Sequence, residues 1–247
     1  MLEYRFKRVV LVAAAAVLTS ITAIVASAPA LAGAGAQANS NPGVIPNRGN
    51  QYSDLAAKWW QWAYSFPRAD VPFLNTGGTV DVTAHQTGHV WFLAGSNSSP
   101  TIRSAMTVPT GVQLFFPMAN FVNDYPCPEP PPFQPAPGES LDDFLVRTGV
   151  PFLQFMTDLF ASVDGVPLQN LEAYLAISPL FTFTADPALA QPPVVDPCIT
   201  GTPQPGVSMG YWLLLTPLPP GDHVVRFGSV GWGQDVTYNI RVTPGRH

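Results

Sequence analysis

Along most of the chain, apolar residues occur in short runs and alternations bounded by proline and glycine, which is typical of β-strands. In the clearest strand, predicted at residues 235–242, Val236, Tyr238, Ile240 and Val242 share one face and polar residues occupy the other. Further strands are predicted at residues 80–83, 90–94, 107–108, 112–119, 175–177, 181–184, 211–215 and 223–229. The pattern predicts a mainly β fold: a β-sandwich, jelly-roll-like or Ig-like, decorated with two α-helices.

The first helix is predicted at residues 53–66, with Ser53 as its N-cap and Pro67 ending it. One helical stripe is apolar and a second is polar, while Trp60 and Tyr64 fall on a third face. Trp60 and Tyr64 fit two interpretations, core packing, which we prefer, and a platform on which sugar rings stack. The apolar stripe is Leu55, Trp59, Trp62 and Phe66, and the polar stripe is Asp54, Lys58, Gln61 and Ser65.

A second helical region is predicted from Ser140, with Asp143 three residues on in a capping relation. After an interruption at Gly149 and Pro151, the apolar spacing predicts that the helix continues through Phe160. The following Asp164-Gly165 pair predicts a hairpin, because both residue types accept the positive φ angles of a type I′ turn.

The N-terminal segment has the three parts of an export signal. Basic residues precede an apolar run at residues 9–28, and Ala30-Leu31-Ala32 supplies the small-x-small cleavage pattern. We therefore expect a signal peptide at residues 1–32, a flexible lead-in at 33–50 and a single β-rich domain at 51–247. The alternative is an uncleaved anchor, since the run is just long enough to span a bilayer. No other membrane span is predicted, and the expected location is secreted, periplasmic or cell-envelope.

Charge restricts the partners. The leader holds three of the eleven basic residues and one of the sixteen acidic ones, so the remainder carries a net charge of −7. Such a surface repels phosphate backbones, which argues against nucleic-acid binding. Anionic lipid headgroups are disfavoured as well, because Lys58 is the only lysine after the leader.

Two cysteines follow the leader, Cys127 and Cys198, each beside a proline. In an oxidising compartment such a pair is usually a disulfide, so we predict one between them. Two free thiols are the alternative. Metal binding by this pair alone is not expected, because no further ligand stands at metal-site spacing.

Candidate chemistry is sparse. Asp81, His85 and His89 are spaced by four and would share one face of a continuous strand, which makes them weak catalytic candidates beside the interpretation as solvated turn residues. Asp222-His223 is interpreted as an exposed loop pair. Asp124, Glu129 and Glu172 are the candidates for a pair of carboxyl groups that would carry out glycoside hydrolysis. No metal or cofactor is predicted.

Several segments together resemble a family of uncharacterised secreted bacterial proteins, and the likeness covers most of the chain after the leader. It implies export and a bacterial source, but no activity. The segments are Lys58-Trp59-Trp60-Gln61-Trp62, Val90-Trp91-Phe92-Leu93-Ala94-Gly95, Val108-Pro109-Thr110-Gly111 with Phe115-Phe116-Pro117, Val163-Asp164-Gly165-Val166-Pro167, and Tyr211-Trp212-Leu213-Leu214-Leu215 with Leu218-Pro219-Pro220-Gly221.

The expected function is that of a secreted or cell-envelope-associated β-sandwich protein acting as a binding or structural module, with carbohydrate or an envelope component as partner. The alternative is an extracellular enzyme, a hydrolase or lyase acting on polysaccharide. It would use carboxylates and histidines in a tryptophan-lined cleft, and six tryptophans keep this hypothesis open.

Overall fold

A computed structural model describes residues 41, 43–74, 82–97, 100–128 and 132–244. The leader predicted at residues 1–32 lies outside the described residues. Within the described residues, ten strands form two five-stranded sheets, accompanied by two α-helices, so the predicted β-sandwich with two helices is confirmed. The helices are α1 (Gln51–Ala63) and α2 (Leu141–Gly149), and the strands are β1 (Val90–Phe92), β2 (Thr101–Pro109), β3 (Gln113–Asp124), β4 (Leu159–Val163), β5 (Val166–Pro167), β6 (Leu175–Ile177), β7 (Phe181–Phe183), β8 (Gln204–Leu215), β9 (Gly221–Ser229) and β10 (Gln234–Thr243).

Sheet A has the order β1-β3-β8-β6, with β7 also pairing with β8, and sheet B has the order β2-β10-β9-β4-β5. Most neighbours are antiparallel, but β1 runs parallel to β3 and β2 runs parallel to β10. The two sheets meet through interlocking apolar side chains. Phe116 of β3 stacks on Phe227 of β9 with ring centroids 4.4 Å apart, and Phe227 in turn stacks on Tyr238 of β10.

Helix α1 covers sheet A and is buried on most of its circumference. Its polar stripe is exposed as predicted, while Trp59 is 1% exposed and contacts Trp212 of β8 with ring centroids 5.6 Å apart. The Trp59 indole N–H donates to the Leu93 carbonyl at 2.9 Å, so the helix is also tied to the segment after β1. The helix begins two residues before the predicted Ser53, with Asn50 as its N-cap.

The residues before α1 belong to the fold, which corrects the prediction of a flexible lead-in as far as residues 41 and 43–50 are concerned. Asn41 is 2% exposed and exchanges two hydrogen bonds of 2.6 Å with the backbone of Gln169. The Ile45 N–H donates to the Leu214 carbonyl at 2.8 Å, and Val44 forms a bridge with Leu215. Small polar composition indicated flexibility, but backbone pairing with β8 holds this segment in place.

Helix α2 begins as predicted, because Ser140 accepts a hydrogen bond from the Asp143 N–H at 3.1 Å. Its continuation through Phe160 was wrong. A 3-10 helix at Val150–Phe155 follows α2, and Leu159 and Phe160 then belong to β4. The apolar spacing suited a helix, but pairing of β4 with β9 satisfies the backbone there instead.

Two predicted turns differ in outcome. The hairpin at Asp164-Gly165 is confirmed, with φ angles of 52° and 79° between β4 and β5. The strand predicted at 80–83 is wrong where it can be judged, because Val82 and Thr83 lie in a turn. None of the described helices is long and apolar enough to cross a lipid bilayer.

Candidate functional site

The histidine group proposed from the sequence does not lie on one strand. His85 lies in a turn with a φ of 58°, and His89 lies in a second turn just before β1. Both are exposed, and the His85 ring stacks on Phe66 while its Nδ1 lies 2.8 Å from the Ser65 hydroxyl. The shared strand face was therefore wrong for the two histidines. Asp81, the third member, lies outside the described residues.

Trp60 and Tyr64 are core residues, 7% and 4% exposed. Tyr64 stacks on Phe183 with ring centroids 4.9 Å apart, and the Trp60 ring contacts both Trp59 and Tyr64. Neither ring presents a free face to solvent, so a sugar-stacking platform at this pair is wrong. The aromatic composition of α1 serves packing against sheet A.

His223 was predicted to form an exposed loop pair with Asp222, but it pairs elsewhere. Its Nδ1 lies 2.8 Å from Asp164 Oδ2 and its Nε2 lies 2.9 Å from the Pro219 carbonyl, while Asp222 pairs with Arg241 at 2.6 Å. Burial lowers the pKa of His223, but the hydrogen bonds to Asp164 and Pro219 outweigh it, and the net direction is upward. The imidazolium satisfies both acceptors and fixes the β4–β5 hairpin to β9.

Two carboxyl groups do converge, those of Asp124 and Asp196. Asp124 ends β3 and is 3% exposed, while Asp196 lies in the loop at residues 191–203. The Cys127–Cys198 disulfide, confirmed in the structure, ties this loop to the segment after β3. As a result, carboxylate oxygens of the two aspartates lie within 4.8 Å of each other. We call Asp124 and Asp196 the acid pair.

The acid pair is held by hydrogen bonds from its surroundings. Gln204 Nε2 donates to Asp124 Oδ2 and, at 3.1 Å, to the Cys198 carbonyl. The Cys198 N–H donates to Asp196 Oδ1 at 2.9 Å, and the Tyr64 hydroxyl lies 3.2 Å from Asp196 Oδ2. Sheet A, α1 and the disulfide loop therefore all contribute to one buried polar cluster.

Burial decides the protonation of the acid pair. Loss of solvent raises the pKa of Asp124 to about 8, and the negative charge of Asp196 adds to the effect. Burial also raises the pKa of Asp196. Burial and the same aspartates raise the pKa of Tyr64 well above its ordinary value, so its hydroxyl stays a donor. With its pKa raised in this way, Asp124 keeps its proton at neutral pH.

Such a pair could act as an acid–base couple or serve only to bind the loop to the sheet. A metal site is not assigned. The third metal-ligand type nearby is the Cys198 sulfur, and as a disulfide sulfur it is not the thiolate that metals bind. Of the other carboxylates considered from the sequence, Glu172 is exposed in the 3-10 helix Leu171–Tyr174, and Glu129 lies outside the described residues.

Sequence reasoning missed Asp196, although a signal was present. Asp124 precedes Cys127 by three residues and Asp196 precedes Cys198 by two, so the predicted disulfide itself implied that the aspartates meet.

One serine also lies within a pattern that is typical of hydrolases. Gly206-Val207-Ser208-Met209-Gly210 has the G-x-S-x-G spacing of a nucleophile elbow. In the structure this segment lies within the extended strand β8, whereas an elbow requires a sharp strand-to-helix turn. The Ser208 side chain is fully buried, and its hydroxyl has no hydrogen-bond partner within the described part of the chain. Ser208 therefore lacks both the exposure and the base that a nucleophile needs.

No protein-family model, no curated protein and no solved structure matches this chain. The resemblance to secreted bacterial proteins of unknown activity therefore stays a prediction from the quoted segments.

Proposed function

We propose that this chain is a secreted or cell-envelope-associated β-sandwich protein that acts as a binding or structural module. The observation that carries the proposal is that neighbouring groups already occupy the carboxyl oxygens of the acid pair with hydrogen bonds. The oxygens of Asp124 and Asp196 receive hydrogen bonds from Gln204, Tyr64 and the Cys198 N–H beneath the disulfide loop. Donors that are already committed to neighbours favour a structural role over a reacting centre.

Two further observations support the proposal. A disulfide is typical of proteins in oxidising compartments, which agrees with the export signal expected at residues 1–32. Four of the six tryptophans are buried in the core, so they are unavailable to line a catalytic cleft. His85 and His89 are exposed at turns, and neither donates a hydrogen bond to Asp124 or Asp196 among the contacts of the described residues.

An enzyme acting on polysaccharide is the second candidate, and the acid pair is what favours it. Glycoside hydrolysis uses two carboxyl groups, one of which keeps its proton at neutral pH. Asp124 has the raised pKa that such a general acid requires.

One experiment separates the two candidates. The full chain is expressed with its own leader in a bacterial host, and the exported product is identified by mass spectrometry. This product is expected to begin at Gly33 and to contain no free thiol. This product is mixed with insoluble cell-wall polysaccharide. Co-sedimentation without release of new reducing ends supports the module.

Matched variants make the comparison decisive. Asp124→Asn and Asp196→Asn remove the acid pair, and Asp142→Asn removes an exposed carboxylate on α2. A module keeps its binding in all three variants. Release of reducing ends by the parent protein and by Asp142→Asn, abolished in Asp124→Asn, would establish the enzyme and refute the module.

A further inference from the structure

Half-exposed aromatic side chains gather on one part of the surface, distant in sequence from the platform expected on α1. They come from β3, from the 3-10 helix Val150–Phe155 and from the turn between β9 and β10. We call Phe121, Phe152, Phe155 and Trp232 the aromatic patch. Phe155 is 38% exposed, and the other three rings are partly exposed.

The four rings form a continuous series. Ring centroids are 6.2 Å apart for Trp232 and Phe121, 5.7 Å for Phe121 and Phe152, and 6.5 Å for Phe152 and Phe155. Two exposed valines, Val150 (43%) and Val230 (69%), adjoin this series in the chain. Scattered exposed apolar residues are ordinary, but contiguous ones with a polar border mark binding surfaces.

The aromatic patch rests on a rigid base. The turn between β9 and β10 is fixed to the segment after the 3-10 helix, since Ser229 Oγ donates to the Thr157 carbonyl at 2.6 Å and the Gly231 N–H donates to it at 3.2 Å. Phe121 also packs against the small buried cluster formed by Phe144, Leu145, Val207 and Met209. The rings are thus held in place before any ligand binds, which reduces the entropy lost on binding.

The scarcity of charged groups near the aromatic patch, together with the net negative charge of the chain, argues for an uncharged ligand. Residues 150–158 and 229–234 contain no lysine or arginine, and their one ionisable group is the exposed carboxylate of Asp158. With a net charge of −7 after the predicted leader, this surface repels anionic lipid, nucleic acid and acidic polymers. The exposed Gln154 and Thr157 at its border offer amide and hydroxyl groups that can hydrogen-bond to sugar hydroxyls.

We propose that the aromatic patch binds a neutral glycan chain whose sugar rings pack against the exposed parts of these aromatic rings. Neighbouring rings of the patch are tilted by 39° to 56° to one another, so they form a curved surface and not a flat platform. The apolar faces of sugar rings stack on aromatic rings, and the border residues bind the hydroxyl edges. This proposal rests on the proposed function as a binding module, and it names both the surface and the ligand class.

The test uses the exported full chain and four neutral hexasaccharides of glucose, xylose, mannose and N-acetylglucosamine as probes. Binding is measured by calorimetry and by the fluorescence of the protein. Trp232→Ala and Phe155→Ala are each expected to weaken binding by about tenfold or more, as for aromatic residues at the centre of an interface. Ile102→Ala is the matched control, because Ile102 is 61% exposed on β2 and lies outside the patch. Near-ultraviolet circular dichroism verifies that each variant is folded.

The possible results are distinct. Loss of binding in the two patch variants and not in the control supports the proposal. Hexasaccharide binding that is equal in all variants refutes the patch and leaves the module standing. A parent protein that sediments with cell-wall polysaccharide but binds none of the four hexasaccharides refutes the neutral glycan as the ligand class. Absence of both kinds of binding refutes the proposed role as a binding module and leaves only the structural role. Self-association that Trp232→Ala abolishes, seen in analytical ultracentrifugation, would assign the patch to a second copy and overturn the proposal.

Discussion

Asp124→Asn should change how the stability of this protein depends on pH. Unfolding exposes Asp124 and returns its pKa to about 3.8, whereas burial holds it at about 8 in the folded protein. Between these values the unfolded state has released a proton that the folded state keeps. The unfolded state therefore binds fewer protons, and stability falls as the pH rises. The contribution is fully present below the unfolded pKa and is lost by the time the pH reaches the folded pKa.

The size of the effect follows from the interval between the two pKa values. Each pH unit in that interval costs about 1.4 kcal/mol, so several kcal/mol is the upper bound. Asp196 is only partly buried, so solvent screens its charge and reduces the loss of unfolding free energy per pH unit. We expect the difference in unfolding free energy, Asp124→Asn minus parent, to grow in favour of the variant by about 2 kcal/mol between pH 5 and pH 9.

Urea denaturation at pH 5, 7 and 9 measures this difference, with Asp142→Asn as the control for loss of an exposed carboxylate. The amide of the variant matches the carboxyl group in size, so packing is conserved. Because the comparison is made at each pH, titration of the groups outside the acid pair cancels. Parallel stability curves for the parent and Asp124→Asn would show that Asp124 is charged in the folded protein and would refute the raised pKa of Asp124.

Three further outcomes are expected. Replacing Cys127 and Cys198 together by alanine should lower the unfolding free energy by about 4 kcal/mol in urea titrations, because a loop closed across 71 positions is released; unchanged stability would contradict this. His223→Gln should remove a stabilisation that is fully present below the unfolded pKa of His223, near 6.5, and is lost as the pH rises through the higher folded pKa. The loss of unfolding temperature between pH 5.5 and pH 8.5, measured by thermal denaturation, should therefore be smaller in the variant than in the parent. Gly228→Ala should cost about 2 kcal/mol by the same urea assay, because its Cβ would collide with a backbone carbonyl of β10 and lie 2.7 Å from an aromatic ring of β4; a soluble variant of parental stability would refute the packing described for sheet B.

Local patterns in the sequence predicted much of the fold. In β10, alternation identified Val236, Tyr238, Ile240 and Val242 as one face, and all four are buried. The Asp164-Gly165 hairpin was also predictable, since its positive φ angles depend on the two residue types alone. Leu159 and Phe160 show the limit of such reasoning, because their spacing suits a helix while their strand partners in β9 lie far along the chain.

The sequence by itself determined the apolar and polar stripes of α1, the buried face of β10 and which two cysteines pair, because periodicity and cysteine number are local or compositional properties. Only the tertiary structure places Asp196 beside Asp124. Only the tertiary structure, likewise, buries Trp60 and Tyr64 and leaves the rings around Trp232 accessible. Proximity and exposure arise from how distant segments pack, and an aromatic residue has the same sequence signature whether its ring lies beneath a helix or at the surface.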